Sequence, residues 1–186
     1  MERLGVDTIM KLNELKSELE YEQAISIYGR LRWMAKEDNS LLPVKQRLKE
    51  LIKKYENEHW EDEAKITPQL ISESDIAEKR VDLENKFIQK RKELIRQKLK
   101  EHGLSQQDLA KLLGHRPNYM SALMNGVRPF SRDDILVIHK LFAIDLKDLM
   151  PPFLKTKVTS HIRKTLEELK QKNAGVKLRL TDPATK

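Results

Sequence analysis

Arg116 and Asn118 are the residues of this chain best suited to reading a nucleic-acid base. An arginine guanidinium can donate two hydrogen bonds to O6 and N7 of guanine, and an asparagine amide can pair with N6 and N7 of adenine. Arg116 could equally contact phosphate alone, because guanidinium groups also bind phosphate oxygens. Tyr119 can pack on a thymine methyl group or bond a phosphate. With Ser121 and Ala122, these side chains form the predicted outward ridge.

Four further positions are predicted to contact the sugar-phosphate backbone. Gln106 stands at the start of the preceding helix, where its amide can bond a phosphate and brace the ridge. Asn125 and Gly126 are expected to stop the ridge helix and to offer backbone N–H groups to a phosphate. Arg128 follows as a candidate for a backbone or minor-groove contact.

Local signals predict two short helices that would position these side chains. Ser105 is an N-cap candidate for a helix over residues 106–113, and Gly114 ends that helix where a left-handed residue costs little. Pro117 suits the first turn of the second helix, because its missing N–H has no intrahelical partner there. Two short helices joined by a glycine turn are typical of the helix-turn-helix, whose second helix enters the major groove. A helical hairpin without a DNA partner is the alternative.

The segment resembles the Cro/C1-type (Xre) family of five-helix DNA-binding domains. The resemblance rests on Ser105-Gln106, Leu109-Ala110 and Asn125-Gly126 followed by Arg128, with further helices over 131–142 and 145–149. The resemblance implies a core built from the leucine, methionine and isoleucine residues at positions 109, 113, 120, 123, 135, 138, 141 and 149.

The front of the chain is predicted to be helical as well. Apolar residues recur at helical spacing over 7–35 and again from Pro43 to about His59, which predicts a helical hairpin. Periodicity fails over 61–74, and a long helix over 75–102 then bridges to the DNA-binding domain. A coiled-coil dimer through this long helix is the less favoured interpretation, because Arg80 and Lys90 interrupt its apolar seam.

The ordered motifs together are similar to those of a HigA-type antitoxin. They are Tyr21-Glu22-Gln23-Ala24, the run from Arg47 to His59, Leu113 to Asn118, and Asn125 to Pro129. The resemblance implies a protein that neutralises a RelE-like mRNA endonuclease and represses its own operon on double-stranded operator DNA. A stand-alone Xre-type repressor without a toxin is the alternative. For the front helices, a dimerisation module that binds no toxin also remains open.

A homodimer is expected, because one helix-turn-helix reads only a few base pairs and a palindromic operator pairs two copies. The candidate seams are the front helices and the region around the fifth helix, with Phe142, Leu146, Met150 and Phe153.

Charge is distributed unevenly along the chain. Residues 1–63 carry eleven lysines and arginines against fourteen carboxylates, whereas residues 82–130 carry ten against five and residues 150–186 nine against three. A basic half suits phosphate contacts. The tail from Lys155 to Asn173 is predicted to be a basic amphipathic helix with a disordered end after 180. It could pack on the domain, clasp a second subunit or contact phosphate.

Several classes of protein are disfavoured by the sequence. Cysteine is absent, no apolar run approaches the roughly 20 residues of a membrane span, and the first ten residues lack a signal-peptide core. The five histidines show no metal-ligand spacing, and no phosphate loop or nucleophile elbow occurs. We therefore expect a soluble, cytoplasmic, non-enzymatic protein without metal or cofactor.

The predicted fold class is all-α. It consists of an N-terminal helical hairpin (1–60), a linker with the start of the long helix (61–82), a five-helix domain (83–153) and a C-terminal helical extension (154–186).

Overall fold

A computed structural model describes residues 5–154, 156–173 and 175–181 of the chain. These residues are helical or irregular, and no strand occurs among them, so the all-α prediction is confirmed. They divide into two compact units, one ending at Pro151 and one beginning at Pro152. The first unit contains both the front helices and the helix-turn-helix, whereas the sequence predicts domain boundaries at 60 and 82 within it.

Three helices form the front of the first unit. Ser17 caps the second of them, since its side chain accepts a hydrogen bond from the backbone N–H of Glu20 at 3.3 Å. The second and third helices run antiparallel, as predicted. Two hydrogen bonds across the pair show this arrangement, one from Tyr21 to Glu56 and one from Tyr55 to Glu18. The first helix, α1, covers Val6–Ile9, the second, α2, covers Glu18–Glu37, and the third, α3, covers Leu42–His59.

A single helix of 34 residues, α4 (Pro68–Glu101), runs from the front helices into the helix-turn-helix. The predicted start at residue 75 is wrong. Thr67 caps the helix by accepting the N–H of Leu70 at 3.1 Å, and Pro68 occupies the first turn, where its fixed φ favours a helix. The first half of α4 packs against α2, and Gln23 donates to both carboxylate oxygens of Glu84 at 3.0 and 3.2 Å.

Four shorter helices complete the first unit. They are α5 (Gln106–Leu112), α6 (Pro117–Met124), α7 (Arg132–Phe142) and α8 (Leu146–Leu149). A buried arginine ties α4 to the end of this array. Arg91 donates to the carbonyl of Leu149 at 3.3 Å, and its guanidinium lies 4.8 Å from the ring centroid of Phe130. Lys90 pairs with Asp148 at 2.8 Å beside it.

The helix-turn-helix has its own apolar core, and most predicted core positions belong to it. Leu109, Met120, Leu123, Ile138 and Leu149 are buried, and residues 113 and 135 are partly buried. The prediction for Leu141 is wrong, because its side chain is 50% exposed on the outer face of α7. Phe142 is buried in this core instead, so it is unsuited to the dimer seam suggested by the sequence.

The second unit contains one helix among its described residues, α9 (Thr156–Lys172). Its apolar residues fall on one face, and Ile162 and Leu166 are partly buried while Val158 and Leu169 are exposed. Most of the predicted disordered end, residues 182–186, lies outside the described residues.

Candidate nucleic-acid interface

The helix-turn-helix is held by a local cap and a glycine turn, as the sequence predicts, and by one longer-range contact to α7. Ser105 and Asp108 form a reciprocal cap at the start of α5, with bonds of 2.9 and 3.2 Å. Gly114 has φ +70°, the left-handed conformation that favours glycine. His115 then bonds Asp134 of α7 at 2.9 Å, which anchors the turn to the following helix. These contacts set the direction in which α6 leaves the domain.

The first turn of α6 presents a polar ridge to solvent. Arg116, Asn118 and Tyr119 are exposed, and the ring of Tyr119 lies 4.9 Å from that of His115. On the opposite side of the helix, Met120 and Leu123 are fully buried. The helix therefore has one face anchored in the core and one end free to meet a partner, and the predicted base-reading residues occupy that free end.

The prediction that Ala122 points outward is wrong. Its side chain is 2% exposed and belongs to the apolar cluster formed mainly by the front helices, together with Val127. Its carbonyl also accepts the backbone N–H groups of Val127 and Arg128 at 2.9 and 3.1 Å. Ser121 is only partly buried. The ridge available to a base is therefore restricted to positions 116–119 with Ser121 at its margin.

Asn125 and Gly126 end α6 as predicted, but their polar groups are already used within the protein. The backbone N–H of Asn125 bonds Ser121 at 3.0 Å and that of Gly126 bonds Leu123 at 3.1 Å, so the predicted phosphate contact by these groups is wrong. The side-chain oxygen of Asn125 accepts a bond from Lys92 at 2.6 Å. Gly126 has φ +67°, and a Cβ there would lie 2.8 Å from Ile88.

Arg128 lies beside the ridge but has a partner that the sequence does not reveal. Its guanidinium carbon is 5.1 Å from the ring centroid of Tyr119, and its Nη1 contacts both carboxylate oxygens of Asp7 at 2.9 and 3.0 Å. The predicted cation thus lies next to the ridge, but its guanidinium is already paired with an acidic residue of α1.

The front helices hold the end of α6 in place. Arg30 of α2 donates to the carbonyl of Gly126 at 3.3 Å, and Arg30 also bonds Ser26 and Asn85. A Cβ on Gly5 would lie 3.6 Å from Pro129. Sequence reasoning missed these contacts, since nothing local to residues 20–30 signals a partner near residue 126.

Gln106 is partly buried and lines an open depression of about 350 Å³ on the first unit. We call this depression the Gln106 pocket. Its wall includes two cations that sequence reasoning did not single out, Arg96 and Lys100 of α4. Their spacing of four residues, shared with Lys92, was the available signal, because it places all three on one side of a helix.

Side chains that could hold a metal ion do not cluster within the described residues. No group of three metal-ligating side chains lies together in this part of the chain. His139 bonds the carbonyl of Ile144 at 2.7 Å, a structural contact that closes the turn after α7. No helix in the described ranges has the length and apolar character needed to cross a bilayer.

Comparison with known proteins identifies one part of the chain. Residues 95–149 match the family model described as helix-turn-helix. Searches of curated proteins and of solved structures found no match. The matched segment runs from the last turns of α4 to the end of α8 and contains the ridge. Residues 95–149 are therefore a Cro/C1-type helix-turn-helix domain. The presence of this domain supports the interpretation of the chain as a DNA-binding transcriptional regulator.

Proposed function

We propose that this chain is the antitoxin of a toxin-antitoxin pair, which represses its own operon as a homodimer on palindromic DNA and neutralises a RelE-like mRNA endonuclease. The DNA half of the proposal is carried by one observation, the exposed polar ridge on an otherwise buried α6. Arg116 supplies two donors there, Asn118 supplies one donor and one acceptor, and Tyr119 adds an amphipathic ring. Gln106 lies at the start of the supporting helix, where it would contact phosphate.

A gel shift on the chain's own upstream DNA tests the ridge. Arg116→Ala and Asn118→Ala should each weaken operator binding by about 1–3 kcal/mol while leaving unrelated DNA almost unaffected. Gln106→Ala should weaken binding to both DNAs alike, because a phosphate contact carries no sequence information. If the two ridge variants shift the operator as the parent chain does, α6 does not read bases.

The toxin half of the proposal rests on the front helices. Residues 1–63 have a net negative charge, which favours association with a basic ribonuclease. The outer face of α2 also leaves apolar side chains open to solvent. Trp33 is 71% exposed with the Lys36 ammonium 4.6 Å from its ring centroid, and Ile25, two helical turns earlier, is 38% exposed. Exposed tryptophans are frequent energetic centres of protein interfaces.

Co-expression with the adjacent reading frame tests this half. If that frame encodes a small basic toxin, the parent chain should restore growth, and Trp33→Ala should fail to do so while still shifting operator DNA. Arg116→Ala should show the opposite pattern, losing the operator but keeping neutralisation. An adjacent frame without toxicity, or equal rescue by Trp33→Ala, contradicts the proposed toxin surface.

A stand-alone repressor is the second candidate, and one observation favours it. The front helices already bury their apolar residues against one another and against Ala122 and Val127 of the helix-turn-helix domain. They therefore have a structural role in supporting α6 without any partner. The two candidates share the operator and differ only in the toxin, so the co-expression experiment separates them.

Homodimer formation is part of both candidates. Val137 and Leu141 lie one helical turn apart on α7 and are 37% and 50% exposed. Met150, just beyond α8, is 52% exposed. Because a palindromic operator requires two copies of the domain, we assign this apolar face to contact with a second copy.

A further inference from the structure

The Gln106 pocket concentrates positive charge without a neutralising carboxylate. Arg96 and Lys100 are exposed, and neither forms an ion pair with any described residue. The carboxylate nearest in sequence, Glu101, is already engaged by Lys98 at 2.7 Å and Gln97 at 3.0 Å. These two bonds lower the pKa of Glu101, so it stays ionised and paired with them. The two cations of the pocket are thus available to an anion from outside.

Lys92 extends the same row of cations toward the recognition helix. Residues 92, 96 and 100 follow at steps of four, so their positions on α4 are about 6 Å apart along the helix axis. The Lys92 ammonium donates to the neutral side-chain oxygen of Asn125, at the end of α6, rather than to a carboxylate. Burial lowers the pKa of Lys92, and the charges of Arg96 and Arg30 lower it further, while the charge of Glu93 opposes these effects without reversing them. Like charges held together in this way destabilise the free protein, and a bound anion relieves the repulsion.

We propose that Arg96, Lys100 and Gln106 form a binding pocket for a backbone phosphate of DNA, and that Lys92 continues this phosphate track to the end of α6. The inference rests on the proposed DNA-binding function and adds residues that lie outside the ridge. The guanidinium, the ammonium and the amide N–H all donate to phosphate oxygens. None of these groups is placed to distinguish bases, so the pocket contributes affinity and register rather than sequence preference.

Salt-dependent binding to two DNA duplexes tests this assignment. One fluorescein-labelled duplex carries the chain's own upstream region, and the other has an unrelated sequence of equal length. The test variant replaces Arg96→Gln and Lys100→Gln together. The control replaces Lys49→Gln and Lys53→Gln, which removes two exposed charges at the same spacing from α3. Fluorescence anisotropy gives the affinity at each salt concentration, and thermal unfolding verifies that both variants remain folded.

In the pocket variant, the slope of log affinity against log salt should become shallower by about 0.9 for each phosphate that the protein no longer neutralises. Affinity should fall by the same factor for both duplexes, so that their ratio stays as in the parent chain. The Lys49/Lys53 control should change the slope far less. Equal slopes for the pocket variant and the control, with the parent still selecting its own duplex, overturn the pocket but leave the proposed function standing. If the parent binds neither duplex, both proposals are wrong.

Discussion

Asp7 and Arg128 are 121 residues apart in the chain, yet their side chains form an ion pair in which one guanidinium nitrogen contacts both carboxylate oxygens. The pair lies beside Tyr119, whose ring faces the same guanidinium. The Arg128 guanidinium, which would otherwise be available to a phosphate, is thus already paired with a carboxylate. DNA must displace or share this partner when Arg128 contacts the backbone, so α1 affects the charge that the ridge presents.

Removing the Asp7 charge should strengthen DNA binding. Asp7 is 79% exposed at its side chain, so solvent screens the pair and the expected gain is modest, up to about fivefold in affinity. Asp7→Asn should therefore bind operator and unrelated duplexes more tightly in an anisotropy titration at low salt. Glu37→Gln removes the same charge from an exposed position of α2 and serves as the control. Equal gains for both variants would show that only net charge matters.

Gly126 should tolerate alanine much less well than Gly114 does. Both residues have positive φ, which costs a non-glycine residue about 1–2 kcal/mol. Only at Gly126 would the new Cβ meet a neighbour, since it would lie 2.8 Å from Ile88 Cδ1, whereas Gly114 has open space around it. Gly126→Ala should lower the free energy of unfolding by about 1–3 kcal/mol more than Gly114→Ala, measured by urea denaturation. Equal decreases would mean that Ile88 moves aside freely.

The Tyr55 hydroxyl should contribute to stability through a buried carboxylate. It donates to Glu18 at 2.8 Å, and Glu18 is only 4% exposed, with its second oxygen unpartnered among the described residues. Tyr55→Phe leaves this carboxylate without its donor and should cost about 1–3 kcal/mol in urea unfolding. Tyr28→Phe removes a hydroxyl that has no side-chain partner among the described residues. A similar decrease in that variant would contradict the assigned role of the bond.

The hydroxyl groups of Tyr21 and Tyr55 should make the folded protein less stable at alkaline pH. Burial raises the pKa of Tyr21 and of Tyr55, and their bonds to Glu56 and Glu18 raise these pKa values further. In the unfolded chain both phenols ionise near pH 10. Their contribution to folding is therefore fully present below about pH 10 and is lost as the pH rises above it. The free energy of unfolding should fall less steeply above this pH in the Tyr21→Phe, Tyr55→Phe double variant, and an unchanged pH profile would contradict the prediction.

The exposed face of α7 should control the oligomeric state. Leu141→Glu introduces a charge into the proposed contact between two copies, and it should convert the dimer to a monomer in light scattering and weaken operator binding. Ile76→Glu, at a residue that is 58% exposed on α4, introduces the same charge elsewhere and should leave the dimer intact. A parent chain that is monomeric at every concentration, including on operator DNA, would contradict the assignment.

The amino-acid sequence by itself determined the local geometry of the helix-turn-helix. Ser105, Gly114, Pro117 and Gly126 act within a few residues of themselves, through a cap, two left-handed turns and a fixed φ, so their effects could be predicted from spacing alone. The tertiary structure decided which side chains remain exposed. Ala122 is buried and Arg128 is paired because helices from the front of the chain pack against the end of α6. Leu141 is exposed because no helix of the first unit covers the outer face of α7, and helical periodicity cannot distinguish a covered apolar face from an open one.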